Sequence, residues 1–150
     1  MVQVLETHKK VLGDNHPDTL TSMGNLALAY TEQGKHKEAE NLHRTALEGR
    51  EGKLGPDHPD TLSSVYCLAH FLATVQQYDE STGLYERASS GFESQLGADH
   101  PTTMACRKHF ASMLLKWNKR QVLVEGHHET GSSDDAMVEQ ERGLSLMTLN

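Results

Sequence analysis

Three histidines carry the residue types of an active site or a metal centre. His16, His58 and His100 stand 42 residues apart, and then 42 again. Each sits in the same phrase: Leu12-Gly13-Asp14-Asn15-His16-Pro17-Asp18-Thr19, Leu54-Gly55-Pro56-Asp57-His58-Pro59-Asp60-Thr61 and Leu96-Gly97-Ala98-Asp99-His100-Pro101-Thr102-Thr103. Asp14, Asp57 and Asp99 precede these histidines by one or two positions. An Asp–His pair can serve as a general base, and imidazole is the commonest metal ligand. The spacing argues against both. Stacked helical units lie about 10 Å apart, whereas imidazoles sharing one zinc must each lie about 2 Å from it. A phrase written three times belongs to a scaffold, because a catalytic centre is built once. The acids are expected to sit at helix starts, where backbone N–H groups and the helix dipole favour them.

The remaining candidates are weaker. His127 and His128 with Glu129 fall in a segment read as flexible, not as a preformed site. Cys67 and Cys106 have no metal or redox spacing. They stand about a helical turn out of register and read as buried small hydrophobes. No phosphate-binding glycine loop, nucleophile elbow or zinc motif occurs in the chain. The expectation is a protein with no catalytic residue, no cofactor and no metal.

A fixed period between 20 and 50 residues marks a repeat architecture. Residues 11–52 laid over 53–94 agree at 15 of 42 positions, where unrelated sequence gives roughly 3. The phrase itself reads as the joint between units. Pro17, Pro59 and Pro101 suit the first turn of a helix, and the residue before each proline is pushed out of the α region. Gly13, Gly55 and Gly97 suit the position just past a helix end.

Two helices are expected between joints. Leu20, Met23, Leu26, Ala27 and Tyr30 form one buried stripe; Leu62, Val65, Leu68, Ala69 and Leu72 form its copy. Gly34 and Lys35 turn the chain. The second helices carry Ala39, Leu42, Ala46 and Leu47, then Tyr78, Leu84, Tyr85, Ala88 and Phe92. Small residues such as Ala27, Ala39, Ala69 and Ala88 permit close packing.

The third unit decays. Met104, Phe110, Ala111 and Leu114 keep the inward stripe, but Arg107 replaces Met23 and Val65. Val122, Leu123 and Val124 are all that remains of its second helix. The expected organisation is residues 1–12 as the second helix of a truncated repeat, 13–54 and 55–96 as full repeats, and 97–125 as a degenerate third. Residues 126–150 form a flexible polar tail, its last part either poorly ordered or a short helix folding back. Internal units expose apolar faces at solenoid ends, so either a fragment of a longer array or an N-terminus that needs a partner is expected.

Composition excludes several partner classes. The net charge of −7 gives no electrostatic footprint for nucleic acid or an anionic membrane. No apolar run reaches the length of a membrane span, and the N-terminus has no signal-peptide pattern. A cytoplasmic location is expected from these features and from the sparse cysteines.

Asn25-Leu26-Ala27-Leu28-Ala29-Tyr30, then Gly34-Lys35, Glu38-Ala39-Glu40 and Ala46-Leu47-Glu48 resemble a tetratricopeptide repeat. The 42-residue form with its Leu-Gly-x-x-His-Pro-x-Thr joint is similar to the repeats of kinesin light chains. Similar arrays also end nucleotide-binding signalling NTPases. The resemblance covers residues 1–124 and implies an all-α fold, an α-solenoid of antiparallel helix-turn-helix repeats. It departs from the family at paired asparagines, of which only Asn25 survives, with Cys67 and His109 at the equivalent sites. Gln76 replaces the turn glycine and Ser81 replaces Ala39.

In such arrays the first helices line a concave face, so the resemblance implies a protein or peptide ligand there. Gly24, Asn25, Leu28 and Glu32 are expected on that face, followed by Tyr66, Cys67, His70 and Thr74, and by Lys108, His109, Ser112 and Lys116. The best candidates for partner contact are Asn25, Leu28, Glu32, Tyr66, His70, Thr74, Lys108, Ser112 and Lys116. Glu32 near one end and Lys108 and Lys116 near the other give a change of polarity that suits an acidic stretch at the lysine end. A module that recognises a peptide, joined to further repeats or domains of a longer chain, is one reading. The alternative is a C-terminal sensing or autoinhibitory segment of a larger nucleotide-binding NTPase.

Overall fold

The glycine, histidine and proline of each joint have separate mechanical roles in the computed structural model, which describes residues 1–129. Six helices occur there, and no strand among the described residues. They are α1 (Val2–Leu12), α2 (Pro17–Glu32), α3 (His36–Leu54), α4 (Pro59–Thr74), α5 (Tyr78–Leu96) and α6 (Pro101–Glu129). Gly13, Gly55 and Gly97 end α1, α3 and α5 with φ of 94°, 88° and 93°, a conformation that disfavours any residue with a Cβ. Proline then opens the next helix.

The cap between them is the histidine. Nδ1 of His16, His58 and His100 accepts the backbone N–H of Asp18, Asp60 and Thr102 at 3.2, 3.1 and 3.2 Å. This satisfies one of the donors that a helix start leaves unpaired. The helix-start role expected of Asp14, Asp57 and Asp99 therefore falls to the imidazoles. The reason is geometric: the acids shift by one position between copies, whereas histidine and proline keep fixed places relative to the first turn.

Two compact units divide the chain, Met1–Leu114 and Leu115–Asn150. In the first, α1 packs on α2, α2 on α3, α3 on α4 and α4 on α5, and α2 also touches α4. Consecutive antiparallel hairpins thus stack into an all-α repeat solenoid. Leu5, Leu20, Met23, Leu26 and Ala46 form one core cluster, with Tyr30 and Leu42 packed against it. The second hairpin buries Leu62, Val65, Leu68, Ala69 and Leu72 together with Tyr85, Ala88 and Phe92. Ser81, in the place of Ala39, is buried without loss because its Oγ donates to the Ala69 carbonyl at 2.7 Å.

Two glycines set how closely the helices of a hairpin approach. A Cβ at Gly49 would lie 2.6 Å from Leu20 Cδ2, and one at Gly91 would lie 2.6 Å from Leu62 Cδ1 and Cδ2. The outer helices are tied by charge. Arg44 on α3 holds Glu80 on α5 through two bonds of 2.8 and 3.0 Å, and also Glu40 on its own helix. Those bonds keep the guanidinium firmly protonated and hold the Glu80 carboxyl below its usual range. Arg87 meets Glu51 at 2.6 Å across the same pair of helices.

The third repeat differs from expectation. Val122, Leu123 and Val124 do not begin a second helix; they lie in α6. The stripe expected inward is also wrong in part. Met104 is 57% exposed, Leu114 39%, and Ala111 is exposed, while Thr103, Cys106 and Met113 are buried and Phe110 is half-buried. Each first helix has two apolar edges. One faces the preceding hairpin and the other faces the repeat's own second helix. Within the first compact unit α6 has only the former, and Met104 and Leu114 are exposed. The second unit carries the exposed Leu115, Val122, Leu123 and Val124. The first four residues of the expected flexible tail, 126–129, instead continue α6; residues 130–150 lie outside the described residues.

Candidate binding face

The capped first turns fix the rotation of α2, α4 and α6, and hence which side chains leave the core. On α2, Asn25, Leu28 and Glu32 are exposed, Leu28 at 49%. On α4, His70 and Thr74 are exposed and Tyr66 is half-buried. On α6, Lys108 and Ser112 are exposed within the first compact unit. Lys116, also exposed, belongs to the second unit.

Tyr66 is the best-positioned of these residues. Its hydroxyl is hydrogen-bonded to Nδ1 of His109 on α6. Its ring meets Phe92 edge-on at 6.4 Å and lies 6.1 Å from Tyr85 and 5.7 Å from His109. Tyr85 in turn stacks on Phe110 at 5.4 Å, and its hydroxyl lies 3.2 Å from Nδ1 of His70. The His70 and His109 rings are 5.2 Å apart. Aromatic groups on α4, α5 and α6 therefore form one platform that is apolar below and polar at its rim. Burial raises the Tyr66 phenol to about 12, with the Cys106 and Cys67 thiols adding to the shift. Burial also pushes the Cys106 thiol up to about 11 and raises Cys67. Both thiols stay protonated near neutrality, and neither is the thiolate that nucleophilic chemistry requires.

The remaining candidates are less focused. Thr74 Oγ1 donates to the carbonyl of His70 at 3.0 Å, one turn back on its own helix. Asn25, Leu28 and Glu32 lie a repeat away from the platform. Sequence reasoning placed Tyr66, His70 and His109 on the face but missed Tyr85 and Phe92 as its floor, having counted them only as core. Among the described residues no three His, Cys, Asp or Glu side chains gather as a metal site, and no helix is long and apolar enough to cross a membrane.

The chain matches the tetratricopeptide repeat family over residues 1–18, 19–60 and 61–102. Two solved structures share its fold. Both are of nearly identical TPR-like repeats described as a kinesin light chain from Podosopora anserina, one of them a variant with a single substitution. Each is 28% identical with a TM-score of 0.71 over 83% of this chain. The chain spans 58% and 59% of their lengths. No curated protein matches the sequence. The repeat fold is generally that of a protein-interaction module and not of an enzyme. With its 42-residue period, its joints and its two-helix units, the chain belongs to the tetratricopeptide repeat family, in the form found in kinesin light chains.

Proposed function

We propose that this chain is a scaffold that binds an extended or helical peptide of a partner protein on the side formed by α2, α4 and α6. The observation that carries the reading is the Tyr66 platform. A half-buried tyrosine over an aromatic floor, with polar groups at its edge, is the kind of anchor on which interface energy concentrates. Leu28 offers apolar contact on one side, and Lys108 offers a cation on the other. An acidic stretch of the partner is directed to the lysine end. The mechanism is non-covalent recognition: aromatic area displaces water, and a few polar groups set the register of the peptide.

Titration of immobilised peptide arrays with the whole chain, followed by measurement of the best ligand in solution, tests this. Tyr66→Ala is expected to weaken binding by about tenfold or more, and Lys108→Glu to weaken acidic peptides selectively. Unchanged affinity in both variants would overturn the assignment of the face.

A further inference from the structure

One histidine of the array lies in the interior with an unsatisfied ring nitrogen. His43 on α3 is 3% exposed, and its Nε2 has no hydrogen-bond partner. Its ring packs on Phe71 of α4 at 5.5 Å, where His36 also approaches the same ring at 6.3 Å. The equivalent position in the next unit, 42 residues on, is Tyr85, whose hydroxyl does find a partner, His70. The first unit thus has an ionisable group where the second has a neutral one.

The surroundings favour the uncharged ring. From α4, His43 faces Phe71 and feels His70 as a like charge. Leu20, Met23 and Leu26 of α2 belong to the apolar cluster that takes in Ala46, one turn along α3. Arg50, also on α3, spans the same seam to Ser64 at 2.8 Å and is itself a cation. The carboxylates of Glu40 on α3 and Glu80 on α5 are both engaged by Arg44. His70 continues the run to His109, 5.2 Å away on α6. A proton added at His43 therefore meets an aromatic wall and a neighbouring imidazole.

We propose that the α3–α4 seam is an acid-responsive hinge: protonating His43 places an uncompensated cation between the two hairpins and loosens their packing, which withdraws the Tyr66–His70 platform from its alignment with α2. The effect on binding rests on the face proposed above; the loosening does not. Burial, with His70 adding, holds the folded His43 down at about 4 against 6.5 in the unfolded chain. The unfolded state then takes up the proton first. The stabilisation is complete above pH 6.5 and is lost as pH falls toward 4.

The test needs no partner. Thermal midpoints of the full chain and of His43→Phe are compared at about pH 7.5 and about pH 5. The phenyl ring suits a position that holds an aromatic residue in the next unit. The wild-type midpoint is expected to fall by about 5 °C more than that of the variant; equal falls would overturn the proposal. Should His43→Phe not fold, the ring protons of wild-type His43 are followed by NMR. Titration near 4, with loss of the His43–Phe71 contact, supports the hinge. Titration near 6.5 with the contact retained overturns it. Peptide binding that is absent at neutral pH would contradict the binding face and leave these readouts unaffected, so the two failures are distinguishable.

Discussion

The hydroxyl of Tyr66 on α4 is bonded to Nδ1 of His109 on α6, 43 residues further along the chain. The repeat period is 42, so this contact runs one residue out of step with it. That offset is how a side chain on one first helix reaches the next instead of pointing alongside its own copy. The bond joins the last two first helices and fixes the ring at the centre of the proposed binding face.

Removing that bond tests its structural part. Tyr66→Phe keeps the ring on Phe92 and Tyr85 but deletes the hydroxyl, at an expected cost of about 1 kcal/mol. Chemical denaturation should show a lower midpoint with an unchanged slope. An unaltered midpoint would mean that the hydroxyl holds nothing.

Two glycines of α5 should respond in opposite directions to the same change. A Cβ at Gly91 meets the fully buried Leu62 side chain, whereas one at Gly83 meets nothing within 4 Å. Gly91→Ala is expected to destabilise by about 1–2 kcal/mol, overpacking outweighing the gain in helix propensity. Gly83→Ala should stabilise by about 0.5–1 kcal/mol. Paired thermal melts decide the matter.

The joint histidines are expected to matter as caps and in no other way. His58→Ala should lose about 1 kcal/mol, while His58→Asn, which keeps a short acceptor, should lose only a few tenths. Equal losses in the two variants, read from urea midpoints, would point to packing of the imidazole and not to its acceptor nitrogen.

Gln76 stands where the first unit has Gly34, and it adopts φ of 64° against 76° there. A residue with a Cβ is disfavoured in that left-handed region by roughly 1 kcal/mol. Gln76→Gly should therefore raise stability by about 0.5–1 kcal/mol, with the helix content seen by circular dichroism unchanged. A loss of stability would show that the glutamine side chain contributes more than its backbone costs.

The repeat fold was legible because its signals are local and recur. Glycine past a helix end, proline in the first turn and apolar spacing each act within a few residues, and the 42-residue period multiplies them. Gly49 and Gly91 also recur at that period, but their role shows only against the facing leucines. The register of the third unit was copied from units whose second helix is described, and none follows α6 among the described residues. Met104 and Leu114 occupy positions that are inward only when such a helix is present. The cap was misassigned because acids are the usual acceptors at a helix start; the constancy of histidine against the drifting aspartate was the overlooked clue. Tyr66, His70 and His109 could be grouped on one side of the array from the family resemblance, which implies that the first helices line a face, together with the helical spacing. Their union with Tyr85 could not, because it depends on how far neighbouring hairpins slip past each other.

The most direct test of the binding face is backbone NMR of the isotopically labelled chain during titration with its best peptide ligand. The expected result is that shift changes concentrate at residues 25–28 of α2, 66–70 of α4 and 108–112 of α6, and vanish in Tyr66→Ala with the fold intact. Changes confined to the outer helices α3 and α5, or to the apolar stretch from Leu115 to Leu123, would contradict it.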